Sequence, residues 1–275
     1  MYSKSNWAGE RLVTSITNEV MLEHLHRYAL AIEICKNKKV LDIACGEGYG
    51  ANLLSLVASE VIGIDVDSTT INNAKRKYFA QNISFQKGSI LEIPVNNDYF
   101  DIIVSFETLE HVSDHEKTIS ELKRVLHPDG ILLISTPDKL SYSEKTGNRN
   151  IFHKKELYKT EFMSLLKAYF KEVKFLGQSS CSMSMIINET KTIEEVYFSG
   201  DYNSINVVSK PEPVYWIAMA TDNTLPLVND TFFLHPKTLS TLQQEQTGAI
   251  HRTLTYRVGN VILAPLKFLK RVFGK

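Results

Sequence analysis

Three glycines and three acids around one turn carry the clearest chemistry in this sequence. Residues 39–50 read K-V-L-D-I-A-C-G-E-G-Y-G, with Gly46, Gly48 and Gly50 behind a short apolar run that contains Val40, Leu41 and Ile43. Such a run has the size and composition of a buried parallel strand. Glycines at this spacing let the backbone turn tightly and come close to a ligand, with a helix starting just behind. The spacing differs from the dinucleotide fingerprint G-x-G-x-x-G, which seats a pyrophosphate on the helix N-terminus. Asp42 and Glu47 flank the turn. They would repel a pyrophosphate and suit a ligand carrying an ammonium and a sulfonium. Asp65 ends the next apolar run, V-I-G-I-D, where an acid can accept two ribose hydroxyls. The expected ligand is a nucleoside with a cationic tail.

The elements that must position these residues follow from hydrophobic period. Residues 19–35 place Met21, Leu22, Leu25, Tyr28, Ala29 and Ile32 at helical spacing. Strands then alternate with helices. A strand at 40–44 precedes a helix from Gly50, and a strand at 61–65 precedes a helix from Ser68, with that serine as N-cap. Further strands are expected at 83–87 and 102–106, a helix over 114–126 stopped by Pro128 and Gly130, and a strand at 131–135. A helix over 154–169 and strands at 173–176 and 214–220 complete the series. This βαβ rhythm predicts an α/β fold, a doubly wound parallel sheet.

At this point the chain resembles the class I S-adenosylmethionine-dependent methyltransferases. The pieces that carry the likeness are V-L-D-I-A-C-G-E-G from Val40, V-I-G-I-D with Asp65, G-S-I-L-E-I-P from Gly88, F-D-I-I-V-S-F-E-T-L-E-H-V from Phe100 and R-V-L-H-P-D-G-I-L-L-I-S-T-P from Arg124. Ala44 stands where many members have glycine. The resemblance implies a Rossmann-like seven-stranded sheet and S-adenosylmethionine as cofactor. It implies cofactor contacts at Asp42, Ala44, Gly46, Gly48, Asp65 and Val66, adenine contacts at Ser89 and Ile90, and further contacts at Phe106 and Glu107 at the carboxyl end of the fourth strand. Asp42 is open to two roles, orienting the loop or binding the methionine ammonium.

G-E-R-L at 9–12, E-H-L-H-R-Y at 23–28, N-x-F-H-K-K-E-L and Y-W-I-A-M-A-T-D resemble a subset found with polysaccharide biosynthesis, including O-antigen methyltransferases. Arg11 or Arg27 is then expected to clamp the cofactor carboxylate, and Tyr28 to close over the cofactor. A helix packed on the sheet with solvated charges is the plainer alternative for this region.

A sulfonium methyl group is already electrophilic, so positioning the acceptor in line is the main requirement. A sugar hydroxyl is a poor nucleophile until its proton leaves, which makes a general base valuable. His111, one turn beyond the fourth strand in E-T-L-E-H-V, is the first candidate. His153, in N-R-N-I-F-H-K-K-E-L, is the second, and Glu107 and Glu110 stand behind them. Each histidine also has a structural alternative, bonding to backbone or capping a helix.

Composition sets the outer bounds. A chain of 275 residues, 43% hydrophobic, can bury one full core. Its 31 basic and 31 acidic residues cancel, so no overall field favours nucleic acid. Cys35, Cys45 and Cys181 show neither metal-ligand spacing nor a disulfide framework, which fits a reducing cytosol, and no metal site is assigned. The first ten residues contain no apolar stretch of the secretory type, and no run of about 18 uncharged apolar residues suggests a spanning helix.

The expected organisation is a helical cap over 1–36, a cofactor-binding domain over 37–222 with a serine-rich lid or insertion at 178–213, and an appendage over 223–275. Within the last, residues 252–275 alternate Arg252, Arg257, Lys267, Lys270, Arg271 and Lys275 with apolar residues and no acid. This basic amphipathic stretch is expected to lie on an anionic membrane or pack on a partner, a second copy of the chain included. The function expected from the sequence is methyl transfer to a saccharide hydroxyl of a cell-surface glycan or its lipid-linked precursor. Methylation of a quinone, lipid or small metabolite, and a scaffold that binds cofactor without turnover, are the alternatives.

Overall fold

A computed structural model describes residues 19–181, 197–200 and 204–234, together with residues 248, 253 and 258. The chain divides into two compact units, Met1–Asp230 and Thr231–Lys275. The first holds the sheet and the candidate site. Arg11 and nearly all of 252–275 lie outside the described residues.

The first unit begins with helix α1 (Glu19–Ile34) and continues β1 (Lys39–Ile43), α2 (Tyr49–Ser55), β2 (Glu60–Asp65), α3 (Ser68–Lys77) and β3 (Ile83–Lys87). It proceeds through β4 (Phe100–Phe106), α4 (His115–Val125), β5 (Leu126–Pro137), α5 (Lys159–Lys167), β6 (Glu172–Gln178), β7 (Tyr197–Gly200), β8 (Ile205–Val208) and β9 (Tyr215–Thr221). Seven strands form one sheet in the order β3-β2-β1-β4-β5-β9-β6. Strands β1 and β4 are parallel neighbours, Val40 facing Ile102 and Asp42 facing Val104. The chain winds outward in one direction from β1 and in the other from β4. Their carboxyl ends therefore form the switch point at which such sheets bind ligands.

The sheet is not wholly parallel, as the alternation of strands and helices predicts. Strand β9 lies between β5 and β6 and runs antiparallel to both. No helix separates β6 from β9 among the described residues; β7 and β8 pair as a hairpin within that connection, part of the expected insertion at 178–213. The return therefore needs no crossover, and an antiparallel strand results. The core lies on both faces. Leu41, Ile43, Ile103 and Leu132 pack beneath α4 and α5, and Val40, Val61, Val104 and Met219 pack with Ala31, Ala51 and Ala74 from the other helices.

Several helix ends differ from the sequence reading for local reasons. Asp67, not Ser68, caps α3: its Oδ1 accepts from the Thr69 amide at 2.9 Å and its Oδ2 from the Thr70 hydroxyl at 2.7 Å. The carboxylate meets the free amides one residue earlier than the serine could. Asp114 caps α4 by accepting from the Lys117 amide at 3.0 Å. The helix expected over 154–169 is confined to Lys159–Lys167, because the amides of Lys154 and Lys155 donate to the Glu110 carbonyl and Leu157 bridges to Asp138. Those bonds hold 154–158 extended beside the end of β4.

Helix α1 covers the turn after β1 through Tyr28, whose hydroxyl donates to Asp42 at 3.1 Å. A Cβ on Gly50 would fall 1.9 Å from the Tyr28 ring, so glycine is required for the helix to seat. Gly50→Ala is expected to destabilise the fold by about 1–3 kcal/mol, the usual cost of overpacking. A lower urea midpoint with an unchanged slope would register it, and an unchanged midpoint would mean that α1 is not held there.

Candidate functional site

The glycine turn is built from backbone that glycine favours. Ala44, Gly46 and Gly48 all have positive φ, at 59°, 53° and 82°. Alanine at the first of these carries steric strain of roughly 1–2 kcal/mol. The Cys45 amide donates to the Ile64 carbonyl, and the Gly46 amide donates to Asp65 Oδ2 at 3.0 Å. Asp65 Oδ1 accepts from the Asp67 amide at 2.9 Å, so one buried carboxylate ties the ends of β1 and β2 together. An ionised carboxylate has lone pairs beyond these two bonds, leaving acceptor capacity for hydroxyls. The space where a Gly46 side chain would stand is open to 4 Å, as a close-approaching ligand requires.

The other expected cofactor residues fall on both sides of that turn. Asp42 lies under the loop, fully buried, bonded to the Tyr28 hydroxyl and to the Ala51 amide in the first turn of α2. Through these contacts Asp42 ties the turn to helices α1 and α2. Burial pushes its pKa up to about 7, opposed by both hydrogen bonds. Glu47 pairs with Lys77 at 3.3 Å. Val66 is exposed just beyond β2, the Ser89 hydroxyl accepts from the Leu91 amide, and Ile90 is part of the core. Phe106 meets the Tyr28 ring edge-on at 5.2 Å.

Arg27 sits one residue before Tyr28 on α1 and is 1% exposed. Its Nε donates to Gln178 Oε1 at 2.7 Å and its guanidinium stacks 4.5 Å over the Tyr215 ring. Among the described residues Nη1 and Nη2 have no hydrogen-bond partner, and Nη1 stops 3.6 Å from Glu107 Oε1. Two unsatisfied donors on a buried cation are expensive to maintain. They describe a niche that an anion would complete.

Beyond β4 the backbone turns through Glu107 at φ 50°, a left-handed conformation that is unusual for this residue type. Its Oε1 accepts from the Ser135 hydroxyl at 2.6 Å. Glu110 is buried and accepts from the Thr136 hydroxyl at 3.2 Å. Burial, then the charge of Glu107, drive its pKa well above the usual carboxylate range. The two candidate histidines are brought together, their rings edge to face at 5.1 Å. His111 Nδ1 lies 3.1 Å from the Phe152 carbonyl, and His153 Nδ1 lies 2.5 Å from Glu156 Oε1. Both partners are acceptors, so Nδ1 is the donor in each ring. Tyr142 stacks on His153, and Asn150 lies 2.9 Å from His153 Nε2.

Sequence reasoning passed over Glu156, Asn150, Tyr142, Gln178 and Tyr215. Glu156 is three residues after His153 in a segment already of interest, a spacing that could have marked it as the imidazole's partner. Nothing local distinguishes the other four.

A family model described as a methyltransferase domain matches residues 34–197, more than half of the chain. The chain belongs to this methyltransferase domain family. A probable S-adenosylmethionine-dependent methyltransferase of Mycolicibacterium smegmatis is 34% identical over 162 residues, covering 58% of this chain and 62% of that protein. A ubiquinone biosynthesis O-methyltransferase of Haemophilus ducreyi is 31% identical over 106 residues, covering 36% of this chain and 45% of its own length. The chain thus spans at most about 62% of these curated relatives. Among solved structures, the YcgJ protein from Bacillus subtilis shares the fold, with a TM-score of 0.53 at 19% identity over 73% of this chain and all of that one. Family and relatives imply S-adenosylmethionine as the methyltransferase domain's cofactor. The open glycine turn, the strand-end acid and the unsatisfied Arg27 fit such a ligand, which carries a ribose and a carboxylate.

Two measurements follow from this geometry. Asp65→Ala removes an acceptor that also holds the loop, and S-adenosylhomocysteine affinity should fall roughly 5- to 150-fold in calorimetry, the equivalent of about 1–3 kcal/mol. Affinity equal to the parent's would remove Asp65 from the site.

The second concerns Asp42. Its folded pKa of about 7 lies above the unfolded value of about 3.9, so between those limits the folded chain keeps a proton that the unfolded chain has released. Its contribution to stability therefore falls as pH rises through that window and levels off above it. The difference between the parent and Asp42→Asn, followed by urea unfolding from pH 4 to 8, should show this slope; a flat difference would mean that the folded carboxyl ionises normally.

Proposed function

We propose that this protein is an S-adenosylmethionine-dependent O-methyltransferase whose acceptor is a saccharide hydroxyl of a cell-surface glycan or its lipid-linked precursor. The observation that carries the O-transfer reading is the convergence of His111, His153 and Glu110 just beyond β4, next to Glu107 at the switch point. A hydroxyl must lose its proton as it attacks the methyl group, and this cluster with Glu107 beside it would handle that proton. The neighbouring groups favour a polyhydroxylated acceptor: Asn150, His153 and Glu156 carry hydrogen-bonding groups, with the Tyr142 ring stacked on His153. Arg27 would hold the cofactor carboxylate as the expected clamp, and Tyr28 would support the turn from below rather than cover the cofactor. A role for Arg11 stands as part of the same proposal. The basic segment 252–275 would bring the enzyme to a lipid-linked acceptor at an anionic membrane surface.

A phenolic acceptor of the quinone type is the second reading. It draws on the relative named as a ubiquinone biosynthesis O-methyltransferase, and it would use the same cluster. Mass spectrometry of surface glycans and of quinone precursors, with and without the gene product, distinguishes them: loss of a 14-dalton increment from a glycan supports the first, and its loss from a quinone precursor alone overturns it in favour of the second.

Replacing His111 and His153 together by alanine should lower kcat by about 10²–10⁴ while leaving cofactor affinity nearly intact. Parental turnover in the double variant would mean that neither histidine takes part in the transfer. Equal losses of kcat and of cofactor binding would mean that the pair supports the fold instead.

A further inference from the structure

We propose that Glu110, His111 and His153 form a three-ligand site for a divalent transition-metal ion that binds the acceptor oxygen. The inference rests on the O-transfer reading and deepens it. One donor atom from each residue lies within 4.8 Å of the other two. Two imidazoles and one carboxylate suit zinc, manganese, cobalt or iron better than magnesium or calcium, which prefer oxygen ligands throughout. Three protein ligands leave coordination positions open for a substrate, as catalytic sites require.

The surroundings match what a metal demands of its ligands. A ligating histidine usually donates its other ring N–H to a carboxylate or a backbone carbonyl, which fixes the tautomer and raises ligand basicity. Both arrangements are present: His153 donates to Glu156, and His111 donates to the Phe152 carbonyl. The second nitrogen of each ring is Nε2, and His111 Nε2 lies 3.9 Å from Glu110 Oε1. Both atoms can reach one ion with a small closing movement. Asn150, whose amide lies against His153 Nε2, would give way. Glu110 is held by the Thr136 hydroxyl, and its carbonyl anchors the amides of Lys154 and Lys155. The segment that carries His153 is thereby tied to the residue that supplies the carboxylate.

The role is specific. Coordination lowers the pKa of a bound hydroxyl, so an alcohol can ionise near neutral pH. The acceptor oxygen binds the ion and passes its proton to Glu107. The O–CH₃ bond then forms as the C–S bond of the sulfonium breaks, and S-adenosylhomocysteine leaves. A second open position would select acceptors that place another oxygen beside the reacting one, as a vicinal diol or a catechol does.

The test uses the full chain, stripped with EDTA and titrated with cobalt(II) chloride. One equivalent should produce saturable visible absorption, displaced by zinc. His111→Ala/His153→Ala should abolish the signal, and Glu156→Gln should weaken cobalt affinity about 10- to 100-fold, the usual effect of losing a partner of a ligand. Circular dichroism and S-adenosylhomocysteine calorimetry on the same samples establish that the variants fold. The proposal is overturned if cobalt gives no saturable absorption, if the double variant keeps it, or if the EDTA-treated enzyme methylates at the full rate. That last result leaves O-methylation standing. Cobalt binding without methylation of any hydroxyl acceptor would sink the O-transfer reading and leave the metal site.

Discussion

The contact on which the rest of the structure depends is the Tyr28 hydroxyl against the Asp42 carboxyl, under the first glycine turn. It joins helix α1 to β1 in the interior, where neither group can turn to water. The missing side chain of Gly50 makes room for the ring, and the hydroxyl and the Ala51 amide satisfy the acid. With Tyr28 fixed, the next residue back along the helix must face the adjoining part of the sheet. Arg27 is therefore carried over the end of β4 and onto Tyr215, where its guanidinium is buried with spare donors. One hydrogen bond thus places both the floor of the turn and the cation beside it.

The sheet's winding and the turn were legible because they rest on local properties: apolar runs of strand length, and glycines where φ must be positive. Asp65 was legible for a related reason, since a polar residue that ends an apolar strand has few places to go except the crevice. The direction of β9 was not. Antiparallel pairing there depends on what joins it to β6, and the apolar run 214–220 reads the same either way. Helix ends differ from expectation where tertiary bonds compete with propensity, as at Lys154 and Lys155, whose amides go to the Glu110 carbonyl instead of forming a helical turn.

The candidate site was read unevenly. His111 and His153 were singled out separately, as alternatives separated by 42 positions, and their contact through facing rings could not be inferred from either neighbourhood. Arg27 was named together with Arg11, yet its distinguishing property, burial with two of its nitrogens unsatisfied, is a matter of packing alone. The acids divide by environment. Glu107 retains a hydroxyl partner and a nearby guanidinium, whereas Glu110 is enclosed and shares the field of Glu107, and its pKa is driven up.

Gln178 and Tyr215 are paired across the β6–β9 ladder and both touch Arg27. Among the described residues between them in sequence, β7 and β8 pair with each other outside the seven-stranded sheet. The rung therefore fixes strand register and holds the arginine from both sides at once. Loosening either strand there would free the buried cation beside the glycine turn as well.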